Sequence, residues 1–322
     1  MQIINREHIA RLLDLDLALV RIEQAFRLFS SGDITMPPVA YLGFDNPPGD
    51  CHIKAARVHE SPIFVVKVAS GFYRNPARGL PSSNGLVMVF CAQTGTSLAV
   101  LNDRGLITDM RTALAGVVAS SLARPDGFGV VGIVGAGTQA RLQLEYLHRL
   151  RGPFESRVWS RSEAELEPYR NDLRCRGIKV EIRTDLQQLC SECDTIITTT
   201  PSAEPLIRSD WVSSGTHITA VGADAEGKQE LDAELFGRAR GVLVDSRDQC
   251  VDHAEVCHSV RAGIIQEDTL VEIGEALAGQ EWQLNNDGDI TIADLSGLGA
   301  SDAMMAQVVW DAISAHKEIR PD

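Results

Sequence analysis

The sequence predicts an α/β protein in two parts, a parallel-sheet domain and an α+β lobe. Three observations predict it. From Gly129 onward, strand-length apolar runs alternate with helix-length segments, the rhythm of a parallel sheet with helices on both faces. Before Thr108, β-like runs follow one another with turn residues between them, as in an antiparallel sheet. A glycine-rich turn, Gly135-Ala136-Gly137-Thr138-Gln139-Ala140, joins the first strand of the alternating region to its helix.

In chain order, residues 5–13 and 16–30 read as helices. In the second, Leu17, Val20, Ile22, Ala25, Phe26 and Phe29 lie mostly on one stripe, and Gly32 ends it. The proline pairs at 37–38 and 47–48 confine the next segment to extended or turn structure. Short β-like runs follow at 51–58, 62–69, 85–91 and 97–102, the later two joined by a Gln-Thr-Gly turn. Residues 109–123 form a small-residue helix capped by Thr108 or Asp109. Then come a strand at 129–134, a helix at 138–150, a strand at 157–160 and a helix at 162–176. IKVEI, TIITTT, HITAVG and GVLVD supply further strands, and 301–318 reads as an amphipathic helix that packs back on the first lobe.

With 322 residues and 44% hydrophobic content the chain can fill two cores. A formal charge of −14 excludes a nucleic-acid or anionic-membrane partner, though a local pocket can still be basic. The N-terminal stretch lacks the apolar core of a signal peptide, and no run reaches the roughly 18 consecutive apolar residues of a membrane span. Seven scattered cysteines suit a reducing, cytoplasmic setting, and Cys190 and Cys193 read as buried thiols because no second pair completes a zinc set.

The glycine-rich turn fits G-x-G-x-x-A and points to a Rossmann-type dinucleotide domain. Gly135 permits the tight turn, Gly137 lets the backbone approach a pyrophosphate, and Ala140 keeps helix close to strand. The helix N-terminus, with Thr138 and Gln139, offers N–H groups and partial positive charge to the phosphates. At the end of the second strand, Ser160-Arg161-Ser162 stands where an acidic residue would bind a ribose diol and select NAD. A cation flanked by hydroxyls instead suits a 2′-phosphate, so NADP(H) is favoured over NAD(H).

Three residues carry candidate chemistry. Lys67 sits in the apolar strand IFVVKVASGF, either as a functional anchor or as the partner of an unseen carboxylate. Arg111 would stand in the first turn of its helix, against the dipole, which suggests that it faces an anion. The alternative is an exposed arginine. Asp224 follows the strand HITAVG, at the sheet end where open α/β sheets bind ligands, with Lys228 and Glu230 near it. It is equally well read as a helix cap.

Several of these segments occur together in one order: KVASGFYRNPARGLPSSNG, the Thr108–Ala115 run TDMRTALA, VGAGTQA, TTTPSAEP and VGADAEGKQEL. Over nearly its whole length the sequence thereby resembles the ornithine cyclodeaminase/μ-crystallin family, with the nearest look to its ectoine-utilisation cyclodeaminase-like and ketimine reductase members. The resemblance implies a substrate-binding and dimerisation lobe, residues 1–115 with 301–322, and a Rossmann domain at 116–300. It implies a homodimer in which Lys67 and Arg111 hold a substrate carboxylate and Asp224 is the acid/base at the substrate nitrogen. It also implies that Ser82, Arg111, Thr138, Gln139, Ser160, Arg161, Ser162, Thr199 and Lys228, with Gly135 and Gly137, contact the dinucleotide.

Two departures bear on substrate. Thirteen residues before Lys67, where true ornithine cyclodeaminases carry a glutamate for the distal amine, stands Lys54. Tyr41 replaces a basic residue expected near that position. The implied activity is therefore an NAD(P)H-dependent imine reductase acting on a small 2-imino acid such as 1-pyrroline-2-carboxylate. A cyclodeaminase that turns an ornithine-like amino acid into a proline-like product is the alternative, and a non-catalytic binding protein of μ-crystallin type the alternative of another class. By charge alone, Lys54 would also suit a second carboxylate on the substrate.

Overall fold

In the computed structural model, residues 1–72, 74–279 and 288–318 are described. Tyr73 of the quoted motif and the last four residues assigned to the lobe lie outside them. The chain divides into two compact units, Met1–Arg111 with Gly299–Asp322, and Thr112–Leu298.

The first unit is a seven-stranded sheet with helices. Its strands are β1 (Gln2–Asn5), β2 (Ile34–Thr35), β3 (Ala40–Asp45), β4 (Pro48–Val58), β5 (Ile63–Gly71), β6 (Ser83–Cys91) and β7 (Ser97–Asn102). They run in the order β1-β7-β6-β5-β4-β2, with β3 also on β4. All pairings are antiparallel except β1 on β7, which is parallel, so the expected all-antiparallel sheet gains one parallel edge. That edge strand has four residues, too few for a periodic signal in the sequence.

Helix α1 (Arg6–Leu12) follows β1, and α2 (Leu15–Ser30) starts at Asp14, whose carboxylate accepts a hydrogen bond from Leu17 N–H at 2.9 Å. Helix α2 buries Ala18, Leu19, Ile22, Ala25 and Phe26. Leu17 and Val20, expected on that stripe, are exposed. At about 100° per residue Val20 falls nearly opposite Ile22 and about a third of a turn from Phe26, so the true stripe is narrower than the apolar one. Strand β3 is exposed along its whole length and shows Tyr41, Leu42 and Phe44 to the outside.

Helix α3 (Leu106–Ala123) begins three residues before the expected 109–123 helix. The buried Asp103 carboxylate caps it by accepting from Ile107 N–H at 2.7 Å, not Thr108 or Asp109. Arg111 therefore lies beyond the first turn, and the argument that it opposes the helix dipole falls. Although α3 is long and apolar enough to cross a membrane, 67% of it is buried within the protein and it carries Asp109 and Arg111.

The second unit is an eight-stranded sheet, every pairing parallel. Strand β8 (Val130–Val134) leads to α4 (Thr138–Arg151), then β9 (Glu155–Trp159), α5 (Glu163–Cys175), β10 (Glu181–Ile182), α6 (Leu186–Glu192), β11 (Thr195–Thr198) and β12 (His217–Ala220). Helix α7 (Glu234–Arg238), β13 (Ala239–Val244), α8 (Arg247–His253), α9 (Val256–Arg261), β14 (Leu270–Glu272), α10 (Ile273–Leu277) and β15 (Ile290–Asp294) complete it. The order is β10-β9-β8-β11-β12-β15-β13-β14, so the progression reverses between β8 and β11. Strands β14 and β15 were absent from the sequence expectation.

A buried polar chain fastens the far half of α3 to this sheet. Ser120 Oγ lies 2.8 Å from Thr219 Oγ1, which His217 Nε2 meets at 2.9 Å, while His217 Nδ1 meets Thr291 Oγ1 at 2.9 Å. Burial lowers the His217 pKa to about 3, so the ring is neutral and can both donate and accept. Cys190 and Cys193 are buried without a disulfide, and burial pushes both thiols up to about 12, which leaves them inert.

The final helix, α11 (Gly299–Glu318), belongs to the first unit and packs on α2, β4 and β5. The expected amphipathic pattern holds only beyond Ala306, where Val308, Val309 and Ile313 are buried and Asp311 is exposed. From Gly299 to Ala306 every residue is buried, because small side chains let the helix sit inside the unit.

Candidate active site

In the first unit, a cationic cluster is built around one carboxylate. Antiparallel pairing puts Lys54 of β4 directly opposite Lys67 of β5, with Val87 of β6 on the other side of Lys67. Lys67 shares the buried face of β5 with Ile63 and Val65, and is only 2% exposed. Two lysines facing each other on a buried face repel, so a counter-charge is needed. It comes from Asp302 in the first turn of α11, where a carboxylate also suits the helix dipole. Lys67 Nζ lies 2.6 Å from Asp302 Oδ2, and Arg111 Nε donates to Asp302 Oδ1 at 3.2 Å. Gly299 makes the approach possible, since even a Cβ there would lie 3.3 Å from Met36 Sδ and 3.7 Å from Lys54 Cβ.

Three cations thus surround Asp302, with the buried Asp103 close enough to feel its charge. Burial would raise the Asp302 pKa, but Lys67, Arg111 and Lys54 together hold it below the ordinary aspartate value. Lys67 carries the surplus. Burial, helped by Arg111 and Lys54 and opposed by Asp302, brings its pKa down to about 7. Among the described residues Arg111 donates only through Nε, so the outer nitrogens of its guanidinium keep their donors for an anion. The sequence left Lys67 as an anchor or as partner to an unseen carboxylate. It is paired with a carboxylate.

The second unit carries the glycine-rich turn at the reversal of strand order, between the ends of β8 and β11, which is where doubly wound sheets bind ligands. Gly135 adopts φ 119°, and a Cβ there would lie 2.7 Å from Thr199 Oγ1. Beside Gly137 nothing lies within 4 Å of where a Cβ would stand. Gly137 is the N-cap of α4 and supplies no side-chain cap, so the first N–H groups of that helix stay open to an acceptor. Arg141 Nη1 caps the Ala136 and Gly137 carbonyls and braces the turn from behind. Ala140 is fully buried, as close helix–strand packing requires. Thr138 is exposed, Gln139 half-buried, and Thr199 Oγ1 donates to the Val134 carbonyl at 3.2 Å. A glycine cradle, open helix N–H groups and a switch point together fit a dinucleotide pyrophosphate.

Beyond β9, Ser160 is buried and its hydroxyl donates to Glu165 at 3.4 Å, whereas Arg161 and Ser162 are exposed. Asp224 is exposed after β12 and paired with Lys228, Nζ to Oδ1 2.5 Å. It caps no helix. Glu230, expected near Asp224, is fully buried and accepts from Thr198, Thr200 and, two residues before Asp224, Gly222. Ser82 lies in the first unit, where its carbonyl accepts from Phe72 N–H at 2.7 Å. Lys54, Lys67 and Arg111 are brought together, as are Gly135, Gly137, Thr138 and Thr199. Sequence reasoning missed Asp302 and Asp103.

The model of the ornithine cyclodeaminase/mu-crystallin family matches residues 2–317. An archaeal alanine dehydrogenase dimer with bound NAD is 33% identical, with a TM-score of 0.89 over 98% of this chain and 97% of the other. The Delta(1)-pyrroline-2-carboxylate reductase of Thermococcus litoralis, in complex with NADH and L-proline, is 26% identical, with a TM-score of 0.91 over 98% of each chain. The iminosuccinate reductase of Paracoccus denitrificans, in complex with NAD+, is 29% identical, with a TM-score of 0.85 over 99% of this chain and 98% of the other.

Proposed function

The chain belongs to the ornithine cyclodeaminase/mu-crystallin family, and from that premise we propose that it is an NAD(P)H-dependent reductase of small 2-imino acids, such as 1-pyrroline-2-carboxylate, giving the L-amino acid. The observation that carries this reading is the buried cluster of Lys54, Lys67 and Arg111 around Asp302. Such a cluster accepts a carboxylate and repels the distal ammonium of a diamine substrate. The relatives named above support it, since two are imine reductases by name.

In this reading Lys67 and Arg111 hold the substrate carboxylate, and Lys54 adds positive charge from the neighbouring strand. Fixing that anion fixes the C=N carbon relative to the rest of the site, which removes much of the entropic cost of reaction. The bound dinucleotide supplies the hydride. As the imine carbon is reduced, Asp224 delivers or stabilises the proton on nitrogen, and Lys228 keeps its carboxyl in place. Gly135, Gly137, Thr138, Gln139 and Thr199 would hold the pyrophosphate side of the dinucleotide.

NADP(H) is the proposed preference, although the solved relatives hold NAD forms. Its support is the exposed Arg161 between Ser160 and Ser162, with no acidic residue among the three. The test is a steady-state screen of 1-pyrroline-2-carboxylate, iminosuccinate and pyruvate plus ammonia with each cofactor. Arg161→Ala should raise KM for NADPH by about 10- to 100-fold, the worth of a charge-assisted bond, and leave NADH use nearly unchanged. Proline made from ornithine without net NAD(P)H consumption would overturn the reductase reading.

The Lys67 pKa near 7 gives a pH signature. At pH 8 Lys67 is mostly neutral, and an arriving carboxylate raises its pKa and draws a proton from solvent. At pH 6 it is protonated beforehand. Titration calorimetry in buffers of different ionisation enthalpy should therefore show uptake approaching one proton at pH 8 and almost none at pH 6. Equal uptake at both pH values would remove Lys67 from the anion site.

We also propose a homodimer, supported by the dimeric archaeal relative and by the exposed Tyr41, Leu42 and Phe44 on β3. Light scattering should return twice the 35.0 kDa chain mass. A monomeric mass at micromolar concentration would dismiss it. A reducing, cytoplasmic setting is part of the same proposal, supported by seven cysteines that form no disulfide.

A further inference from the structure

Glu230 is a fully buried acid that the proposed chemistry does not use. Its Oε1 accepts from Thr200 N–H at 2.6 Å and from Thr200 Oγ1 at 2.7 Å. Its Oε2 accepts from Thr198 Oγ1 at 2.7 Å and from Gly222 N–H at 2.8 Å. One carboxyl group thereby ties together the exits of β11 and β12, the first strand ending beside Thr199 and the second four residues before Asp224. The two exits also run close, since a Cβ on Gly222 would collide with the Thr200 carbonyl and the Glu230 carboxylate. Glu230 is itself held from behind. The carboxylate of Glu255, just before α9, accepts from Glu230 N–H and, at 3.0 Å, from Leu231 N–H.

A carboxyl group is required by the donor set, and burial raises its pKa. Each oxygen faces one backbone N–H, which cannot reverse, and one hydroxyl, which can. An amide in the same place satisfies one oxygen position and sets N–H against N–H at the other. Burying so many polar groups is costly unless all are paired, so the arrangement is worth keeping only if the loops must be fixed.

We infer that Glu230 is a positioning residue, holding Thr199 and Asp224 in fixed relation at the ends of β11 and β12. The inference rests on the reading of Asp224 as the acid/base. Glu230 touches neither substrate nor dinucleotide in this scheme and acts through the two loops.

The test compares Glu230→Gln, Asp224→Asn and the double variant of the full-length enzyme. Glu230→Gln should lower kcat about 100-fold, the scale set by a misplacement of about 1 Å. Without any ligand it should also speed hydrogen exchange of the amides of Thr200 and Gly222. At saturating dinucleotide, where displacement of Thr199 does not enter, Glu230 acts through Asp224 and the double variant should be no slower than Asp224→Asn alone. Parental kcat in Glu230→Gln, or a double variant that loses both effects in full, overturns the inference while an impaired Asp224→Asn leaves the function standing. Parental activity in Asp224→Asn instead brings down the underlying reading, and the inference with it. Should Glu230→Gln fail to fold, Thr200→Val decides, with an expected fall of about tenfold and faster exchange at Gly222. Unchanged kcat and exchange there overturn the inference.

Discussion

Asp224→Asn is expected to lower kcat by about 100- to 10,000-fold, the range that a positioned acid or base contributes. Asparagine keeps the size and one oxygen of the side chain but can act neither as an acid nor as a base at neutral pH. Stability should barely change. Asp224 is half exposed, and its pair with Lys228 is of the surface kind, worth about 0.2–1 kcal/mol. Dinucleotide affinity, read by fluorescence titration, should also stay within about twofold, since the glycine turn and the α4 N-terminus are untouched. A large kinetic loss with intact folding and cofactor binding separates a proton-transfer role from a structural one. Activity within a few-fold of the parent would remove Asp224 from the mechanism.

Much of this was legible in the sequence because its signals are local. The turn at Gly135 needs its glycines, strand and helix within a dozen residues, and each is where the pattern puts it. Lys67 was conspicuous because a lysine inside an apolar strand contradicts its surroundings. Its partner was not legible. Asp302 lies at the far end of the chain, and no local rule links a helix-first-turn aspartate to a strand lysine. Glu230 was hidden for a similar reason, as an acid in a loop reads as solvated until its four donors are assembled around it.

Other errors came from reading apolarity as burial. Val20 is apolar but faces away from the core side of α2. Helix α11 is the reverse case over its first eight residues, where Ser301 and Asp302 are buried along with the apolar residues and no polar face exists. The start of α3 had a usable signal in Asp103, three residues before Leu106, which the capping rule admits. Moving that start removed the dipole argument for Arg111 without removing Arg111 from the cluster. Long-range ion pairing now carries its assignment.

Asp302→Asn tests that pairing, and its signature should be the opposite of the one expected for Asp224. Removing the charge of one partner from a buried ion pair costs about 3–5 kcal/mol, because the remaining charges are left uncompensated. Here three cations would face each other without Asp302, and the midpoint of thermal unfolding should fall by on the order of 10 °C. The deficit should depend on pH. Asp302 raises the Lys67 pKa, so its loss lowers that pKa further below about 7. Between the lowered value and about 7, folded Lys67 in the variant is already neutral while the parent's is still protonated, so the variant recovers stability as pH rises through that window. The gap should be wider at pH 5.5 than at pH 8. A carboxylate ligand should narrow it as well, by supplying the missing negative charge, and should raise the midpoint more in the variant than in the parent. Equal midpoints for variant and parent at pH 5.5 would mean that Asp302 does not hold the cations together, and the cluster would lose its claim to be an anion site built in advance of its substrate.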